Sequence, residues 1–302
     1  MHGLLIIDKP AGITSHDVVR RIRRKTGIRR VGHGGTLDPM ATGVIPVAIG
    51  EATRLLEYFS ESDKGYAATM RLGSITDSQD AEGEIVATGE WQGLSCSEVN
   101  QAIIRMNGPI EQIPPMYSAL KRNGTPLYKL ARQGLAVERE PRPVVIRSIN
   151  MTACELPEVS FDVVCSKGTY VRTLAHDIGQ DLGCGAHLSG LRRFRHGAFE
   201  IAAAVNLERF EASEDVEQYI VPLIDMLPDR PLVPVGEEAA GRLCNGIPPA
   251  AVEADLPPGI VDGTMVRITA GKKLLAVAHY APGREREKRG DFELAKVFVR
   301  TD

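Results

Sequence analysis

Apolar residues in this chain arrive in bursts too short for anything but strands and one-faced helices. The longest runs, Leu4–Ile7 and Val44–Ile49, fall far below the roughly 20 residues of a membrane-spanning helix. Leu4–Ile7 reads as a short buried strand ended by Lys9-Pro10-Ala11-Gly12. Val159, Phe161, Val163 and Cys165 alternate with more polar residues, the period of a strand. That strand runs through Ser166-Lys167-Gly168-Thr169 into a segment whose Val171, Leu174, Ala175, Ile178 and Leu182 share one helical side, with Gly183 just beyond.

The same signals place the other elements. Thr14 and Asp17 have capping-box spacing and open a helix that Gly27 closes, with Val18, Val19 and Ile22 on one side. A helix is expected from about Ala52 to Phe59, and strands over Tyr66–Leu72 and Glu84–Ala87. Ser95 with Glu98 opens another helix that Gly108 ends. Residues 113–143 form a basic insertion with a tight-turn signal at Asn123-Gly124 and a helix from about Pro126 to Gln133, stopped by Gly134. A long insertion between strands reads as a functional flap. After the Pro-rich run Pro222–Pro234 comes a small, mostly β module. Its helix is Glu237–Cys244 and its strand candidates are Thr264–Thr269, Lys273–Tyr280 and Glu293–Arg300.

The chain has 302 residues, 43% hydrophobic and 25% charged. That is about two globular domains, and it excludes a disordered tail, a collagen or a disulfide scaffold. The N-terminus has too short an apolar core for a signal peptide, so a cytoplasmic protein is expected. Five cysteines, an odd number without a CxxC pair, fit buried thiols in a reducing compartment. The net charge of -3 alone argues against a nucleic-acid partner. Its distribution argues otherwise: Arg20 to Arg30 is densely basic, while Glu208, Glu211, Glu214, Asp215 and Glu217 cluster elsewhere. This separation points to a basic face, although a solvated basic helix would have the same sequence.

Two segments invite chemistry. Gly32 to Gly43 lacks the endings of a phosphate loop or a dinucleotide site. It holds Asp38 between glycines and Pro39, either presenting a carboxylate at a cleft on a stiff backbone or bonding its own turn. Arg172 lies in the first turn of its helix, off the apolar stripe, where the helix dipole disfavours a cation. Either a carboxylate such as Asp38 compensates it, or it is a solvent-screened surface residue. The histidines show no metal-ligand spacing, and no Gly-x-Ser-x-Gly nucleophile motif is present.

Lys9-Pro10-Ala11-Gly12-Ile13-Thr14-Ser15 and Gly32–Gly43 closely resemble signature segments of the TruB family of pseudouridine synthases. So do Gln112 to Lys121 and Ser166–Asp177, the latter continuing to Leu191-Arg192-Arg193. The resemblance covers about residues 3–200 and weakens after 205. It implies an α+β fold: a mixed, largely antiparallel sheet with flanking helices and the inserted flap. The implied domains are a catalytic one over 1–228 and a small, mostly β, PUA-like RNA-binding one over 229–302.

The resemblance also implies conversion of uridine to pseudouridine in the T loop of tRNA, position 55. It makes Asp38 the catalytic aspartate, Tyr66 the tyrosine that stacks on the base and Arg172 the partner of the carboxylate. Lys9, His33, Tyr170 and Leu191 become substrate-binding positions. Ser78 departs from the threonine of many members. The reaction rearranges atoms without net redox change, so neither cofactor nor metal is expected. Burial raises an Asp pKa and a guanidinium lowers it, so Arg172 is expected to keep Asp38 ionised.

Further expectations concern RNA and assembly. The Arg20–Lys25 helix, the flap and Arg192, Arg193 and Arg195 are expected to meet phosphates, the flap ordering on RNA. The terminal module is expected to touch the acceptor stem. A monomer without an obligate protein partner or membrane contact is expected. An RNA-folding module without catalysis, or a relative working inside a guide-RNA complex, would share the basic faces. Only an enzyme needs Asp38, Tyr66 and Arg172 together.

Overall fold

The computed structural model describes residues 1–122, 124–135, 137–283 and 290–298. Asn123 of the expected turn, and 299 and 300 of the last strand candidate, lie outside them. The main sheet contains β1 (Gly3–Lys9), β2 (Thr42–Ile49), β3 (Lys64–Leu72), β4 (Gly108–Gln112), β5 (Arg142–Glu155), β6 (Glu158–Cys165) and β7 (Ala186–His196). Their spatial order is β1-β2-β7-β3-β6-β5-β4. Every neighbouring pair in that path is antiparallel except β2 with β7, which run parallel. The sheet is thus mixed and largely antiparallel, as expected. The flap is the connection between two paired strands, β4 and β5.

Period-two alternation divides β1 between two cores. Leu5 and Ile7 face the helix-bearing side, with Val18, Val19 and Ile22 of α1 (Ser15–Thr26), Ile103 of α2 (Cys96–Arg105) and Leu174 of α3 (Val171–Asp181). Leu4 and Ile6 face the other way, against Leu55, Phe59, Met226, Leu274, Val277 and Phe298. Leu274 and Val277 belong to a second sheet, ordered β8 (Leu232–Pro234), β9 (Met265–Ala270), β10 (Lys273–Tyr280), β11 (Phe292–Val297). This sheet has its own apolar cluster around Val233, Leu243, Ile268 and Phe292. It therefore docks on the back of the main sheet through shared apolar side chains. Arg54 reinforces the contact by donating to the Val297 carbonyl and lying 5.1 Å from the Phe298 ring centroid.

Both capping boxes form: Thr14 with Asp17 opens α1, Gly27 closes it with φ 71°, and Ser95 with Glu98 opens α2. Other expectations shift. The helix expected from Ala52 is a 3-10 segment, Gly50–Leu55, followed by one α-turn, Leu56–Ser60. The flap helix is shortened to Leu127–Ala131, with Pro126 as its N-cap. Gly108 begins β4, since α2 ends at Arg105. The all-thiol reading of the cysteines is overturned, because Cys96 and Cys154 form a disulfide. Their 58-residue separation leaves no local motif, and only the packing of α2 beside β5 brings their Cα atoms to 6.0 Å. Cys165 and Cys184 are buried thiols, and Cys244 is half-buried. No described helix is long and apolar enough to cross a membrane.

The parallel β2–β7 pairing requires a glycine. Gly43 opposes Arg193 at φ 103°, and a Cβ there would lie 2.2 Å from the Arg193 carbonyl oxygen. Gly43→Ala combines left-handed strain with a backbone clash. It is expected to lower unfolding stability by about 3 kcal/mol or more, read by urea denaturation.

Candidate active site

Residues before and after Asp38 are tethered by backbone and side-chain bonds from several elements. The Ser15 hydroxyl at the start of α1 lies 2.8 Å from the Leu37 amide, whose bond it accepts, and 3.0 Å from the Leu37 carbonyl. Gly34 N–H donates to the Pro46 carbonyl, and Gly12 N–H to that of Pro39. Lys9 Nζ donates to the Pro39, Pro10 and Ile13 carbonyls at 3.2, 2.9 and 2.7 Å. This fixed loop carries Asp38, whose Oδ2 lies 3.0 Å from Arg172 Nε. A third of the Asp38 side chain remains exposed, against 5% for Arg172. Arg172 is therefore no screened surface residue, and Asp38 does not spend its carboxylate on its own turn alone.

Arg172 gathers further partners. Its Nη1 lies 3.2 Å from Asp80 Oδ2 and donates to the Ser78 carbonyl at 3.0 Å. Its Nη2 donates to the Tyr117 carbonyl, at the base of the flap, at 2.9 Å. Two carboxylates facing one guanidinium offset its unfavourable place at the helix N-terminus. Asp80 also accepts from Ser78 Oγ at 2.6 Å and the Glu82 amide at 3.1 Å. Sequence reasoning missed Asp80. The signal was a carboxylate in a polar loop, Thr76 to Asp80, but its partner is 92 residues away.

The electrostatic balance bears on the ionisation expected of Asp38. Burial pushes the Asp38 carboxyl above its ordinary value, Arg172 opposes this, and Asp80 adds to the rise. Arg172 thus acts toward the ionised form, as expected, against a rise set by burial and Asp80. A buried site shared by two carboxylates and one guanidinium gives this sign.

The remaining expected positions lie on β3, on β7, at the start of α3 and in the segments before Asp38. Tyr66 of β3 is 9% exposed and packs in the main core, opposite Arg193 in the strand pairing. Burial raises its phenol pKa, and the Asp38 charge adds to that rise. Tyr170, the N-cap of α3, is half-buried, and its backbone N–H and C=O are both bonded by Gln112. Gln112, buried at the end of β4, was also missed as a positioning group. Leu191 lies opposite Ala68 and packs against the core. His33 keeps a buried Nδ1 without a hydrogen-bond partner, and burial lowers its pKa. Lys9 is 0% exposed, and burial lowers its pKa to about 8. Here it braces the loop instead of standing open to a ligand.

The basic surface differs from expectation. Glu211, placed by sequence among segregated acids, packs beside α1 and pairs with Arg21 and Arg24 at 3.4 Å each. Arg20 pairs with Asp17, and Arg23 donates to the Val31 carbonyl. Arg192 pairs with Asp8 at 2.8 Å. Arg193 cannot meet phosphate: it is 1% exposed and its guanidinium is spent on backbone carbonyls. The alternation of β7, interrupted by a bulge between Arg193 and Arg195, turns it inward.

Comparison with known proteins gives this geometry a lineage. Residues 23–171 match the N-terminal domain of TruB family pseudouridylate synthase, and residues 172–228 match the tRNA pseudouridylate synthase B C-terminal domain. The chain is 50% identical to tRNA pseudouridine synthase B of Syntrophotalea carbinolica, covering 99% of this chain and 98% of the relative. It is 44% identical to the protein of that name from Geobacter sulfurreducens, over 99% of this chain and all of the relative. A chain in a crystal structure of a Cbf5-Nop10-Gar1 complex superposes with TM-score 0.75 at 29% identity, covering 98% of this chain and 85% of that one. One in an H/ACA RNP bound to a substrate RNA containing 2'-deoxyuridine gives 0.76 at 27%, covering 99% and 86%. The sheet, the loop carrying Asp38 and these full-length matches together establish that the chain belongs to the TruB family of pseudouridylate synthases, enzymes that isomerise uridine to pseudouridine.

Proposed function

We propose that this protein converts uridine to pseudouridine in the T loop of tRNA, at position 55, with Asp38 as the nucleophile and the target base flipped from its stack. One observation carries the reading: a carboxylate one-third exposed on a multiply tethered loop, 3.0 Å from the buried Arg172 guanidinium. The reaction breaks N1–C1′, turns the uracil and joins C5 to C1′. The atoms balance within one nucleotide, so neither cofactor nor metal is needed. As the base leaves, the sugar gains positive character. Ionised Asp38 answers this by adding to C1′ or by taking a neighbouring sugar proton.

Eversion costs a few kcal/mol, which binding inside the cleft offsets. Tyr66 supplies the ring on which the base stacks, worth about 1–3 kcal/mol. Leu191 closes an apolar wall, Tyr170 borders the cleft and Lys9 steadies the Asp38 loop. His33 braces the opened T loop with a ring that burial keeps neutral. The flap contributes cations to the T arm. The weak, exposed Arg21 and Arg24 pairs with Glu211 exchange readily for phosphates. In this reading residues 1–228 form the catalytic unit, and 229–302 form a PUA-like module against the acceptor stem. The enzyme works as a cytoplasmic monomer. Incubation with unmodified tRNA, followed by mapping of pseudouridine at each position, tests the assignment. Product confined to the T loop is expected; product only elsewhere, or none, overturns it.

A further inference from the structure

Arg193 is among the largest fully buried side chains, and its partners lie on both sides of the Asp38 loop. Nε donates to the Val44 carbonyl at 2.7 Å, beyond the loop. Nη1 and Nη2 donate to the Thr36 and Gly35 carbonyls at 3.3 and 3.2 Å, before it. The same side chain brings its charge close enough to Tyr66 to oppose the rise in that phenol's pKa. One rigid fork thus spans entry to the loop and exit from it. A planar guanidinium can do this because its donors have fixed mutual directions.

The surroundings leave little alternative room. Arg193 stands opposite Tyr66 in one strand pairing and opposite Gly43 in the other. Three residues along β7, His196 lies directly under the loop, and a Cβ at Gly35 would meet its Cε1 at 2.7 Å. His196 Nε2 donates to the Phe59 carbonyl at 2.9 Å. Burial lowers the pKa of this ring to about 3, so it packs there as a neutral imidazole.

We propose that Arg193 is a positioning residue for the isomerisation, clamping the entry to and exit from the loop that presents Asp38. The inference rests on Asp38 being the catalytic carboxylate. Arg193 touches no substrate and acts through the placement of Asp38, which does. Misplacement of a reacting group by about 1 Å costs on the order of 100-fold in rate. Arg193→Gln is therefore expected to lower the single-turnover rate on unmodified tRNA about 100-fold. Its Kd for tRNA should stay within threefold of wild type, about the precision of a binding titration. Arg193→Lys keeps the charge but not the fork, and should recover part of the lost rate.

Phosphate binding by Arg193 would give the opposite pattern: weaker tRNA affinity, a salt slope reduced by about 1 and an unchanged rate once bound. That pattern overturns the proposal, as does a wild-type single-turnover rate in either variant when thermal melting shows it folded. If the Gln variant does not fold, the Lys variant carries the test by the same split between rate and affinity. Asp38→Asn, assayed alongside, separates two failures. Turnover in that variant removes the reading on which the proposal rests. Its loss, with full turnover in folded Arg193→Gln, removes only the role given to Arg193.

Discussion

Asp38→Asn is expected to lower single-turnover isomerisation by on the order of 10⁴-fold or more, while tRNA still binds with an affinity within a few-fold of wild type. The substitution preserves shape and removes the charge. An amide neither adds to C1′ nor takes a sugar proton at a useful rate, so both routes close. Asp80 is 5% exposed and already engaged by Arg172, Ser78 and the Glu82 amide. The loop itself should persist, because it is fastened through Ser15, Lys9, Gly12 and Arg193 and not through the Asp38 carboxylate. Rapid-mixing measurement of pseudouridine with a parallel binding titration checks both halves. A folded, tRNA-binding Asn variant that turns over within tenfold of wild type would contradict the assignment.

Arg172→Met and Asp80→Asn should move the pH profile in opposite directions. The active form of Asp38 is the carboxylate, so the rate falls as pH drops through its pKa. Burial already sets that pKa above the ordinary value, which places the acid limb above the usual carboxylate range. Arg172 lowers the pKa, so its removal shifts the limb to higher pH. Asp80 raises it, so neutralising Asp80 shifts the limb to lower pH. Arg172→Met should also reduce the rate at the plateau by about 10²–10³-fold, since it removes a preorganised cation from a partly buried reacting centre. Single-turnover rates across pH for the three proteins decide the matter. Parallel shifts, or none, would mean that the two residues do not control the charge on Asp38.

Some of this site is local and some is not. Thr14 with Asp17, and Ser95 with Glu98, act within one helical turn, so residue type and spacing suffice to announce them. The period-two pattern of Val159 to Cys165 survives because burial on one face needs no knowledge of what covers it. The ion pair of Asp38 with Arg172 was legible for a different reason: a cation at a helix N-terminus is a local misfit that calls for a distant anion. Its second anion, Asp80, produced no such misfit. The Cys96–Cys154 disulfide, the Glu211 pairs with α1 and the bond of Gln112 to Tyr170 were equally silent.

Arg193 shows the division most clearly. In the sequence it stands in a run of arginines, and a run of arginines reads as a surface. Which way each one points depends on strand register and on a bulge two residues long, and those are set by neighbours on β2 and β3 from 120 or more residues earlier. The sequence by itself determined which segments become strands, which helices are capped and which carboxylate and guanidinium belong together. Only the tertiary structure decided which charges are buried, which answer one another across the sheet and how high burial drives the Asp38 pKa. Secondary structure is governed by interactions over a few residues, whereas desolvation and charge pairing depend on everything packed within several ångströms, whatever its position in the chain.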